Sequence, residues 1–158
     1  MKKLVLTTGL LLLCSMVFAQ SINDIFKEFG KAFGAETSNV SPLKMRMERI
    51  FGEEDDDDTR LAKKIKSMKV MELDDCSQQV KQRFAQTMKD FTPRGYEMTS
   101  QVTNEGDTVR LLLKKKGNII QELLIICTGR EDWGLVLMKG DIQSEDLADL
   151  VHAGSDEL

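Results

Sequence analysis

Four short, strand-forming stretches follow one another in the second half of this chain: Tyr96 to Thr103, Thr108 to Lys115, Asn118 to Thr128 and Trp133 to Gly140. The separators are Asn104-Glu105-Gly106-Asp107, Lys116-Gly117 and Gly129-Arg130-Glu131-Asp132, each a glycine among polar residues at hairpin length. A parallel connection needs a crossover of about a dozen residues or more, and none of these linkers offers one. The four segments therefore have to form an antiparallel meander.

The first half reads as mostly helical. Ser21 to Phe33 carries Ile22, Ile25, Phe26, Phe29 and Phe33 on one stripe, with Ser21 and Asn23-Asp24 as start signals. Gly34 to Asn39 reads as a loop. Ser41-Pro42 caps a short helix that stops at Gly52. Thr59 to about Lys66 reads as another helix, and Met68 to Leu73 as a strand apolar on both sides. Ser77 to Phe91 is the clearest helix, with Val80, Phe84, Met88 and Phe91 facing one way, and Ser144 caps a last one bearing Leu147, Leu150 and Val151. The expected fold is α+β: an antiparallel sheet of four to five strands. N-terminal helices in segment 21–66, one central helix and a C-terminal helix pack on it.

Two strands break the alternation expected of a sheet covered on one side. By simple period two, Ile119, Leu123, Ile125 and Cys127 lie on one face and Ile120, Leu124 and Ile126 on the other. Trp133, Leu135 and Leu137 likewise oppose Val136 and Met138. Either helices cover both faces, or one face is partly roofed by the N-terminal helix and receives a partner or an apolar ligand. On the second reading that helix is the least firmly held, and Ile22, Phe26, Phe29 and Phe33 form the partner face. Deleting residues 20–35 is then expected to leave a folded, dye-binding protein.

The first residues carry an address. Met1-Lys2-Lys3, the apolar run Leu4 to Leu13 and Val17-Phe18-Ala19 form a secretory leader over residues 1–19, cleaved between Ala19 and Gln20. The run is too short for a bilayer span. Lipidation at Cys14 is the competing reading, and Leu13 is too bulky for the position before a lipidated cysteine. Residues 20–158 then make one domain, large enough to bury a core. Losing Lys2 and Lys3 moves the formal net charge from −4 to −6. An acidic chain without a basic face is poorly suited to nucleic acid or anionic membranes. Cys76 and Cys127 remain after cleavage, too few for a disulfide framework, and Cys127 reads as a small buried hydrophobe.

Residues for chemistry are scarce. His152 is the one histidine, close to the end of the last helix. Cys76 lies at a helix start, but Asp74 and Asp75 oppose a thiolate and no histidine is near in sequence. The acidic run Glu53 to Asp58 lacks the alternate spacing and glycine of a calcium loop, so its side chains cannot converge on one ion. No catalytic residue, cofactor or metal is expected.

The order Val40-Ser41-Pro42-Leu43, Ile65-Lys66-Ser67-Met68-Lys69-Val70, Gly95-Tyr96-Glu97-Met98, Ile120-Gln121-Glu122-Leu123 and Met138-Lys139-Gly140-Asp141-Ile142 resembles a family of exported Bacteroidetes proteins, domain-of-unknown-function family 4252. The resemblance implies a periplasmic or surface setting and a link to envelope signalling, and it supplies no catalytic residues. The resulting expectation is a non-enzymatic exported binding or interaction protein of the cell envelope. Its partner is an unknown envelope protein, or, as the alternative, it carries a small apolar ligand.

Overall fold

The computed structural model describes residues 20–39, 64–130 and 132–147. Helix α1 spans Ile22–Phe29. Its N-terminus is closed by a capping box: Ser21 Oγ accepts from the Asp24 amide at 3.2 Å, and the Asp24 carboxylate accepts from the Ser21 amide at 3.1 Å. The helix stops one turn earlier than its stripe suggests, because Gly30 caps it with its own N–H on the Phe26 carbonyl. Phe33 thus leaves the stripe and stands 99% exposed. The next glycine, Gly34, sits at φ +87°, where a Cβ would come within 2.4 Å of the Asp75 carbonyl oxygen, so the close passage of these two chain segments requires glycine.

Six strands follow: β1 Glu36–Ser38, β2 Ile65–Glu72, β3 Glu97–Asn104, β4 Asp107–Lys116, β5 Ile119–Thr128 and β6 Gly134–Gln143, with helix α2 Gln78–Met88 between β2 and β3. They form one sheet in the order β1-β2-β6-β5-β4-β3, antiparallel throughout. The hairpins β3–β4–β5–β6 are the meander demanded by the short linkers. Ser77 caps α2 as expected, its hydroxyl facing the Val80 amide at 3.4 Å.

The expectation of four to five strands is corrected to six. Glu36–Ser38 lies in a stretch expected to be loop and pairs three residues with the end of β2. Ile65 and Lys66, expected to close a helix, open β2 instead, because β6 offers a ladder from Gly140 back to Gly134. A helical turn at residues 144–147 matches the start of the expected C-terminal helix. The expected helix 41–52 and most of those at 59–66 and from 144 onward lie outside the described residues.

Both helices rest on one face of the sheet. There Ile22, Ile25, Phe26 and Phe29 of α1 and Phe84 and Met88 of α2 join Leu112, Leu124, Ile126, Leu135 and Leu137 in a single buried cluster. The Phe29 and Phe84 rings meet edge to face at 5.2 Å. Beneath the other face a second cluster gathers Val70, Leu113, Ile120, Leu123, Met138, Ile142 and Leu147. Ile120 is on the opposite face from the one period two assigned it. In the ladder with β4, Lys114 faces Glu122 and Lys115 faces Ile120, which leaves an extra residue in β5, so Ile120 and Leu123 share a face.

Candidate interaction surface

The second face is buried at one end and opens toward the other. Cross-strand partners point to the same side, so the registers define rows across the sheet. The row Leu113–Leu123–Met138 is closed, with each residue at most 3% exposed. The next row, Leu111–Ile125–Val136, is half-buried. The row Val102–Val109–Cys127 is more open still: Val102 is 51% and Val109 36% exposed, while Cys127 is half-buried. Met68 of β2, half-buried, packs against the same cluster. The result is a contiguous apolar strip, with Ile125, Val136, Val102 and Val109 β-branched, on an otherwise acidic protein.

Three of the four residues expected to form a partner face are buried. Ile22, Phe26 and Phe29 are 8%, 4% and 0% exposed and belong to the core, while Phe33 alone of the four points to solvent. Lys69 and Arg83 lie over the Phe26 and Phe29 rings at 4.3 and 5.1 Å, covering α1 further. Of the cleavage pair, Ala19 lies outside the described residues. Gln20 is exposed, and its side-chain amide donates to Glu28 at 2.7 Å. His152, the run Glu53 to Asp58 and Cys14 also lie outside the described residues. Val102 and Val109 were not singled out by the sequence pattern. Each is a single apolar residue between polar neighbours, and only the pairing register shows that they extend one continuous strip.

Polar clusters occupy the first face. Glu122 stands between Lys114 at 3.5 Å and Lys139 at 3.9 Å and accepts a hydrogen bond from the Tyr96 hydroxyl. Burial pushes the Tyr96 phenol well above its usual value near 10, and the Glu122 hydrogen bond and charge push it further. A phenol so protonated cannot serve as a base near neutral pH. Tyr96 is the single tyrosine, so near-ultraviolet tyrosinate absorbance reads it alone. Because its folded pKa is raised, its stabilising contribution is intact below pH 10 and is lost as pH climbs toward the folded value. In an alkaline titration, tyrosinate is expected to appear together with loss of circular dichroism, not before it. A tyrosinate signal near pH 10 in a protein that is still folded would contradict the Tyr96–Glu122 contact.

The two cysteines are not bridged. Cys76 is buried in the cluster under α1 and α2, whereas Cys127 lies on the opposite face of β5. Burial raises the Cys76 thiol pKa, with Asp75 and Asp74 adding to it and Lys81 opposing, so it is a poor nucleophile. A shallow depression of about 470 Å³ lies beside α2, lined among others by Met88, Lys89, Gln101, Thr108, Arg110 and Ile126. Arg110, 8% exposed, donates to the main-chain carbonyls of Met88 and Phe91. Its guanidinium thereby closes the C-terminal end of α2, where a cation is electrostatically favoured.

Residues 33–150 match the sequence profile of DUF4252, a domain of unknown function. The chain belongs to the DUF4252 family. Searches among curated proteins and among solved structures returned no match. The part of the DUF4252 domain matched by the profile holds all six strands and α2. It begins after α1, so Ile25 and Phe29, two of the most buried residues in the core, precede the matched range. Among the described residues, no helix is long and apolar enough to cross a membrane.

Proposed function

We propose that this DUF4252 protein is exported, loses residues 1–19, and acts in the bacterial cell envelope as a non-enzymatic interaction module. Its partner is another envelope protein, docked on the apolar strip of the second sheet face. The observation that carries this reading is the gradient from Leu123 through Ile125 to Val109, where a closed core continues without a break into exposed apolar surface. Apolar surface left contiguous is the kind that association buries. The basic-apolar leader supports export, and the family resemblance supports a Bacteroidetes envelope setting with a place in envelope signalling. Neither the polar cluster at Glu122 nor the thiol at Cys76 offers a nucleophile paired with a base, which favours binding over catalysis.

A photo-crosslinking residue at Val109 in the exported protein is expected to capture a discrete envelope protein. The same probe at Gln82, exposed on α2, is expected to capture none. Val109→Lys should remove binding of that partner without changing the melting temperature by more than a few degrees. Identical adducts from both positions, or none from Val109, would refute the proposed surface. An apolar small molecule found by mass spectrometry in the purified protein, and absent from the Val109→Lys variant, would replace the interaction module with a carrier.

A further inference from the structure

The sheet has one long open edge. Among the described residues β3 pairs with β4 alone, and seven of its eight residues are exposed, with Ser100 the exception. Proteins usually protect such an edge with proline, lysine or a bulge, because its free N–H and C=O groups are a template for another strand. In β3 the bulge lies at one end, between Met98 and Ser100, and the one charged side chain, Glu97, is tied to Lys115 at 3.0 Å. From Ser100 to Asn104 the strand is unbulged and carries neither charge nor proline. The opposite edge strand, β1, has only three residues.

We infer that the β3 edge pairs antiparallel with the β3 of a second copy of this chain, joining two six-stranded sheets into one. This goes beyond the proposed interaction module and rests on the strand edge rather than on the strip. A second copy fits because the stretch is self-complementary. In a continuous sheet with its two-fold axis normal to the plane, residues brought opposite each other must point to the same side. A register centred on Val102 meets that condition and sets Val102 against Val102 of the second copy, Gln101 against Thr103 and Ser100 against Asn104. No charges face each other. The two exposed valines, each at the end of its own apolar strip, meet at the axis and make the strips continuous. A strand from an unrelated protein would need a matching apolar residue at that one position, whereas a second copy supplies it by symmetry.

Light scattering after size exclusion, run on the exported protein over a wide concentration range, tests this. The wild-type chain is expected to approach the mass of a dimer as concentration rises. Val102→Lys and Val102→Glu, substitutions at a half-exposed position, should each remain monomeric with unchanged circular dichroism, because each sets like charges against each other across the axis. Mixing the two variants should restore the dimer, since the opposed charges then attract. A wild-type chain that stays monomeric throughout overturns the inference, as does a Val102→Lys dimer or a mixture that stays monomeric. Each of these outcomes leaves the Val109 crosslinking result, and with it the proposed function, unaffected.

Discussion

Phe29→Ala is expected to lower the stability of the domain by about 3–5 kcal/mol, the usual cost of emptying a large aromatic site in a core. Phe29 is 0% exposed, its ring is edge-on to Phe84 at 5.2 Å, and the Arg83 guanidinium covers it at 5.1 Å. Since a small domain holds about 5–15 kcal/mol in total, one such loss removes a large fraction of it. Phe33→Ala is the matched control: its side chain is 99% exposed, and the change should stay within about 0.5 kcal/mol. Urea unfolding followed by circular dichroism separates them. Deleting residues 20–35 should accordingly abolish cooperative unfolding, contrary to the expectation drawn from the sequence, because Ile25 and Phe29 would leave a gap over Leu124 and Leu135. Equal midpoints for the two phenylalanine variants would make α1 a peripheral strap after all.

Arg110→Ala is expected to cost about 2–4 kcal/mol, for a different reason. Arg110 is a buried charged residue of the first face, and its two donors serve the carbonyls of Met88 and Phe91 just where α2 ends. Removing it takes the donor from the part-buried Phe91 carbonyl, leaves the Met88 carbonyl with the Phe91 amide alone, and opens a cavity beside Met88 and Ile126, where an unsatisfied buried acceptor costs about 1–3 kcal/mol. Arg110→Lys keeps the charge near the helix C-terminus, but an ammonium on a shorter stem cannot span both carbonyls as the guanidinium does. It should therefore fall between wild type and alanine. Loss of cooperativity in Arg110→Ala, with amide exchange rising first in α2 and the segment to Pro93, would locate the effect at this cap. A lysine variant as unstable as alanine would show that the fork geometry, and not the charge, is what α2 requires.

Some of this protein was legible along the chain because the signals were local. The three hairpin linkers impose antiparallel pairing whatever surrounds them, and β3 to β6 lie within a few residues of the expected bounds. Ser77 and Ser21 cap their helices because a hydroxyl meets an orphan amide two or three residues on, a contact that needs no tertiary partner. The stripe of α1 was likewise readable, but its meaning was not. A periodic apolar face is equally suited to a core or to a partner, and burial of Ile25 and Phe29 against the first sheet face decided between them.

The rest depended on which strand met which. Glu36–Ser38 has no strand signal of its own and becomes one by pairing with β2, while Ile65 and Lys66 are taken from a helical pattern by the ladder to β6. The extra residue between Ile120 and Glu122 reverses the face of everything before it in β5, and period two cannot see a bulge. Arg110 reads as one polar residue in an alternating strand until α2 ends above it. The amino-acid sequence by itself determined the antiparallel meander, the helix starts and the apolar character of both sheet faces, since these follow from short-range sterics, capping and linker length. Only the tertiary structure decided which apolar face is closed, where the strip around Val109 opens and which edge is left unpaired, because those are contacts between residues far apart in the chain.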